Sequence, residues 1–246
     1  MTEQEWASCT DPRKMLEFLR GKVSSRKLRL FALACCQRID RLIDDERSRA
    51  ALGFAELHAE VGVARRRGRA ALMQAGREAH WEVYTPIYDA PASESKARAL
   101  IVANARYAPV NLLQCDAMHA ALCAFTYASF AVAWEAQLAS GSGVYHDLLD
   151  EFKQLEQAGQ THLLRDLLGD AFHSIMVNPV WLAWNDQAAL KLAQGIYEDR
   201  AFDRLPILAD ALEESGCDHA GLIGHLRGSG LHVRGCWAVD LLLGKE

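Results

Sequence analysis

Apolar residues recur along most of this chain at the spacing of three to four that gives a helix one buried face, and the punctuation between these stretches is legible. Thr2-x-x-Glu5 has the form of a capping box. Asp11-Pro12 supplies an N-cap and a first-turn proline for a second helix, which Gly21 can close. Ser24 or Ser25 can cap a third, whose Leu28, Phe31, Leu33, Cys35, Ile39, Leu42 and Ile43 are expected in the core. A fourth helix is expected to begin after Asp44 and run past Ala75 on a thin stripe of Leu52, Ala55, Ala59, Val63, Ala70 and Met73.

Thr85-Pro86 and Asp89-Ala90-Pro91 must interrupt helix, because proline lacks the amide donor and restricts the residue before it. A short helix from about Ser93 to Tyr107 is expected ahead of Pro109. A long apolar helix from Asn111 to Leu138 then ends in Ser140-Gly141-Ser142-Gly143, the one segment of linker composition. Beyond it, Asn178-Pro179 opens a turn carrying Trp181 and Trp184, and Asn185 can cap a helix from Asp186 to about Glu198. Asp203 can cap another that Gly216 ends, and Asp218 can open a short one to about Leu226. Gly228-Ser229-Gly230 leads to a last helix, Cys236 to Leu243, stopped by Gly244. Strand signals are almost absent. The pattern predicts an all-α protein: an irregular multi-helix bundle over residues 1–140 with a smaller helical C-terminal subdomain over 144–246, or the two as one continuous domain.

Composition narrows the function classes. The chain has 246 residues, half of them apolar, enough to bury roughly 70–75% of its unfolded surface without a staple. Acidic residues outnumber basic ones by 32 to 27, which argues against nucleic acid as the default partner. The apolar run from Leu112 to Leu138 carries Asp116, His119 and Glu135, which suits a core helix better than a membrane span. Met1-Thr2-Glu3-Gln4-Glu5 lacks the basic and apolar regions of a signal peptide. Seven cysteines, two of them adjacent at Cys35 and Cys36, do not make a disulfide framework. A cytoplasmic location with reduced thiols is the expectation.

The strongest candidate chemistry lies near the C-terminus, where Cys217, His219, His225, His232 and Cys236 cluster. Thiolate and imidazole are the ligands zinc prefers, and Cys217, His225, His232 and Cys236 would tie two short helices and a glycine-rich turn together. No Cys-x-x-Cys knuckle is present, and buried helical cysteine is the competing reading. A second candidate is Asp116-x-x-His119, a carboxylate and an imidazole on one helical face, with Glu56, His58, Glu78, His80 or Glu82 as further donors. Arg65, Arg66 and Arg67, with Arg69 and Arg77, form the one basic run. Its alternatives are a phosphate or acidic partner and a solvated helix face. Trp181, Trp184 and Trp237 read as packing residues, or as an interface if the first two are exposed. Adjacent helical cysteines point their thiols about 100° apart, so Cys35 and Cys36 read as core.

Both ends of the chain carry further signatures. Cys9-Thr10-Asp11-Pro12, Met15-Leu16-Glu17-Phe18-Leu19-Arg20, Arg26-Lys27-Leu28-Arg29-Leu30-Phe31, Cys35-Cys36 and Asp45-Glu46-Arg47-Ser48-Arg49 stand at the start. Arg200 to Glu213, His232-Val233-Arg234-Gly235-Cys236-Trp237 and Asp240 to Lys245 stand at the end. Together they resemble a family of uncharacterised bacterial proteins abundant in planctomycetes, over roughly half the chain; residues from about Leu52 to Gln160 are not matched. The resemblance implies kinship without an activity. That family often has Cys after the residue matching His225, where this chain has Leu226, so a site using that cysteine is excluded here.

No Gly-x-Gly-x-x-Gly, Gly-x-x-x-x-Gly-Lys, Gly-x-Ser-x-Gly or His-Glu-x-x-His motif occurs. The leading functional reading is therefore a non-enzymatic interaction or regulatory module with a protein partner and a structural zinc. Its rivals are a metal-dependent hydrolase and, third, a nucleic-acid-binding accessory protein.

Overall fold

A computed structural model describes residues 1–61, 66–141, 148–169 and 175–245. The fold is an all-α, multi-helix one, with no strand among the described residues. Its helices are α1 (Glu3–Ser8), α2 (Pro12–Leu19), α3 (Ser25–Arg38), α4 (Glu46–His58), α5 (Arg69–Tyr84), α6 (Glu94–Asn111), α7 (Ala117–Ala139), α8 (Leu149–Leu168), α9 (Pro179–Asp199), α10 (Leu205–Glu214), α11 (Ala220–Arg227) and α12 (Trp237–Leu243). The chain forms two compact units, Met1–Thr161 and His162–Glu246. The division falls within α8, past the glycine–serine segment where composition placed it; Ser142 and Gly143 of that segment lie outside the described residues.

Helix starts follow local chemistry. Thr2 and Glu5 form a reciprocal capping box, Asp11 accepts from the Arg13 and Lys14 amides, and Ser24 accepts from the Lys27 amide. Each cap satisfies amides that the helix itself leaves without partners. In the first unit α3 and α6 pack against α7, and α4 and α5 pack against α6. The α6 and α7 faces are rich in fully buried alanine, among them Ala103, Ala105, Ala108, Ala121, Ala124, Ala128 and Ala131. Side chains this small let two helix backbones approach closely. Cys35 and Cys36 are fully buried on α3, and burial pushes both thiols far above their ordinary range. Helix α7 is the one described helix long and apolar enough to cross a bilayer, and more than half of its most apolar window is buried inside the protein.

Several element boundaries differ from the sequence reading. The expected fourth helix is two, because α4 ends at His58 and Gly68, at φ 88°, takes the left-handed conformation just before α5. Helix α6 runs through Pro109 to Asn111; a proline in the last turn removes only one hydrogen bond of a helix already ending. The long apolar helix starts at Ala117 instead of Asn111, with Asp116 as its N-cap. A 3-10 turn over Phe202–Arg204 precedes α10, and His219 caps α11 in place of Asp218.

In the second unit α9 packs against α10 and α12, α10 against α11, and α11 against α12. Its core comprises Trp181, Ile196, Leu205, Leu208, Leu212, Leu222, Leu226, Val239 and Leu242, among others. Helix α9 is broken at Trp184, and Asn185, Asp186 and Gln187 all take positive φ. The break falls where Asn185 was expected to start a new helix.

Candidate metal centre

Three segments of the second unit bring polar groups together. Leu163, Leu164 and Leu167 of α8 are buried, and Asp166 lies between them with 4% of its surface exposed. Helix α8 stops just beyond, where Gly169 adopts φ 61°. On α11, Leu222 and Leu226 are buried, which fixes the rotation of the helix and brings the half-buried His225 alongside the core. The chain then turns through Val233-Arg234-Gly235-Cys236. The Cys236 amide donates to the Val233 carbonyl at 2.9 Å, and Gly235 has φ 91°. A type II turn requires positive φ at this third residue, which glycine adopts without strain. This turn aims the side chains flanking it, His232 and Cys236, at one point.

Four donors converge there: a carboxylate oxygen of Asp166, one ring nitrogen each from His225 and His232, and the sulfur of Cys236, all within 4.8 Å of one another. His232 Nδ1 lies 2.7 Å and His225 Nε2 3.4 Å from Asp166 Oδ1. The Cys236 sulfur lies 3.1 Å from His225 Nε2 and 3.9 Å from His232 Nδ1. In a tetrahedral zinc site, metal–ligand lengths imply about 3.3 Å between nitrogen or oxygen ligands and about 3.6 Å between sulfur and nitrogen. The observed spacings straddle these values. It is the one such grouping of His, Cys, Asp and Glu among the described residues.

The same distances separate this arrangement from a nucleophilic triad. A triad histidine uses one nitrogen for the nucleophile and the other for the orienting carboxylate. Here Nε2 of His225 faces both the carboxylate and the sulfur, as does Nδ1 of His232. Four ligand-type atoms lying this close together could hold a metal ion.

The surroundings orient the donors. Asp166 Oδ2 accepts from the Val233 amide at 2.9 Å, leaving Oδ1 for the centre. His232 Nε2 faces the Gly228 carbonyl at 3.5 Å, so its Nδ1 is the nitrogen turned inward. Burial works to raise the Asp166 carboxyl, but hydrogen bonds from His225, His232 and the Val233 amide, with the charge of His232, hold it below its ordinary value. For His232, burial favours the neutral ring, yet the bond to Asp166 and its charge outweigh it and the pKa rises. Burial, reinforced by the charge of Asp166, pushes the Cys236 thiol far up against the opposing Val239 and Ala238 amides. A divalent cation at the centre would reverse this last effect by binding the thiolate directly.

Three of the four ligands suggested by sequence, His225, His232 and Cys236, thus share one place, and Cys217 is not among the converging donors. Cys217 is buried in the unit's core, its amide bonded to the Leu212 carbonyl, and burial raises its thiol pKa. Asp166 takes the fourth position, and the sequence reading did not include it. The available signal was a carboxylate at a helical position whose neighbours Leu163 and Leu167 make it core-facing. Asp116 spends its carboxylate on the His119 amide at 2.6 Å, and His119 is exposed beside Cys123. Of the residues suggested as their partners, His80 bonds to the Ala103 carbonyl and Glu82 to Arg47. Arg65 lies outside the described residues, whereas Arg66 and Arg67 are exposed. Arg69 donates to the Leu113 carbonyl. Trp181 is a core residue, and Trp184 is half-buried at the break in α9.

No protein-family model, curated protein or solved structure matches the chain.

Proposed function

We propose that the C-terminal unit is a zinc-centred module and that the protein acts as a non-enzymatic interaction or regulatory protein built on it. The observation that carries the reading is the convergence of Asp166, His225, His232 and Cys236 on one buried point. One thiolate and one carboxylate neutralise a divalent cation, so the complete centre is uncharged and suits a buried position. The mixed sulfur, nitrogen and oxygen set belongs to zinc or a similar tetrahedral ion, whereas magnesium and calcium prefer oxygen alone. With four protein donors present, no position is left for the water or substrate that a hydrolase requires. Met176 and Val180, strongly exposed apolar side chains of the same unit, are the kind of surface a protein partner covers.

Reduced, free cysteines, including the exposed Cys115, fit a cytoplasmic setting. We further propose membership of the planctomycete-type bacterial family, since its C-terminal signature holds two of the ligands, His232 and Cys236. A nucleic-acid role has less support, because Arg69 of the basic run is committed to a backbone carbonyl.

Metal analysis of protein purified without chelator tests the reading. About one zinc per chain is expected, lost on Cys236→Ala and on His232→Ala but retained on Cys217→Ala. Metal-free protein, or zinc that survives both ligand substitutions, would defeat it.

A further inference from the structure

The two histidines of the centre are held by different means. Metal-bound imidazole is ordinarily oriented by a hydrogen bond from its other nitrogen to a carbonyl or carboxylate. His232 has that support, its Nε2 facing the Gly228 carbonyl. His225 has none: among the described residues its Nδ1 meets no hydrogen-bond partner, and its Nε2 is the atom turned toward Asp166 and Cys236. No described protein group fixes the plane of this ring through a hydrogen bond to Nδ1.

Two aromatic rings pack against it. The His232 ring stands edge-on to His225 at 4.9 Å between centroids and 88° between planes. The Trp237 indole lies at the same 4.9 Å, tilted by 49°. Trp237 directly follows the ligand Cys236, so its own placement is tied to the centre. The indole also fills the space beside Gly169. A Cβ built there would lie 2.8 Å from Trp237 Cγ and Cδ2, closer than packed carbon atoms come. Gly169 also has φ 61°, strained for any side chain, and it follows Asp166 by three residues at the end of α8. The indole therefore touches the segment carrying Asp166, packs at a tilt against His225 and is joined in sequence to Cys236.

We infer that Trp237 is the positioning residue of this centre, holding the His225 ring by contact where no described protein group bonds its Nδ1, and that Gly169 is glycine because the indole occupies the place of its side chain. The inference rests on the metal-binding reading above and deepens it. Trp237 does not ligate; it acts through His225 by limiting rotation about the side-chain bonds that would swing Nε2 away from the ion. A flat ring is required for that, which phenylalanine supplies and alanine does not.

Cobalt(II) provides a readout that a merely structural tryptophan would not move. Bound tetrahedrally with one thiolate, it has intense visible bands and a sulfur charge-transfer band, and both weaken when a ligand is lost and water enters. The full-length chain is titrated with cobalt and zinc as wild type, Trp237→Ala, Trp237→Phe and Gly169→Ala, with thermal unfolding of each metal-free protein measured in parallel. Trp237→Ala is expected to lower affinity about 10- to 100-fold and to shift cobalt toward the weak spectrum of a higher coordination number. Gly169→Ala should move in the same direction by displacing the indole. Trp237→Phe should recover most of the tetrahedral spectrum. If the wild type itself gives no tetrahedral cobalt spectrum, the metal reading fails and this inference with it. If the wild type binds and Trp237→Ala keeps both affinity and spectrum while unfolding earlier, the metal reading stands and the positioning role is overturned.

Discussion

His80 shows how one side chain of α5 can report on the first unit's integrity. Its ring is 6% exposed, places Nδ1 2.8 Å from the Ala103 carbonyl, and stacks on Tyr84. Burial lowers its pKa, and the bond to Ala103 offsets this only in part. The folded state therefore favours the neutral ring more than the unfolded chain does, and between the two pKa values the unfolded chain binds more protons. Stability from this source is fully present above the ordinary histidine value of about 6.5 and is lost as pH falls through the depressed folded value. Wild-type protein should lose melting temperature between about pH 7 and about pH 5 more steeply than His80→Gln, which cannot gain the proton. Parallel curves for the two proteins would contradict this. Capping residues such as Thr2, Asp11 and Ser24 can be read from a few adjacent letters because their hydrogen bonds close within three residues. Asp166 cannot be read that way, since its partner His232 is 66 positions away.

Among the elements, α6 and α7 depend on close approach. Ala124 is fully buried on α7, a helix along which buried alanine recurs. Replacing it with leucine should force the helices apart and destabilise the protein by about 1–3 kcal/mol, although leucine and alanine both favour helix. Urea denaturation of Ala124→Leu would show the change as a lower midpoint, and an unchanged midpoint would mean that the helix pair is not close-packed there. Helix existence was legible from periodicity, while boundaries were less so. The break between α4 and α5 and the start of α7 at Ala117 both lie where apolar spacing continues across the interruption. Pro109 illustrates the reverse error: a residue that ordinarily ends a helix sits inside the last turn of α6. Local propensity is overridden when packing on either side is worth more than one lost hydrogen bond.

At the scale of the whole chain, each unit has its own core, and the four candidate metal donors all lie in the second. Binding to the folded form alone stabilises it in proportion to the logarithm of ion concentration over dissociation constant, about 2.7 kcal/mol at a hundredfold excess. On the zinc-centre proposal, amides of α11 and α12 should lose hydrogen-exchange protection when metal is removed by a chelator, whereas those of α3 and α7 should keep theirs. Equal loss in both units would show that the ion does not act through the second unit's own stability.

The periodic apolar positions, the caps and the near absence of strand signals settled the all-helical class, because these depend on residues a turn or two apart. Cysteine and histidine near the C-terminus also marked, by their chemistry alone, the region of the candidate ion site. Which of those donors meet was decided only by tertiary packing. The rotation of α8 that buries Leu163 and Leu167 carries Asp166 inward, and the left-handed Gly235 turns His232 and Cys236 toward it, while Cys217 goes to the core. A ligand set is a relation in space among distant segments, and spacing along the chain does not encode it until the helices have docked.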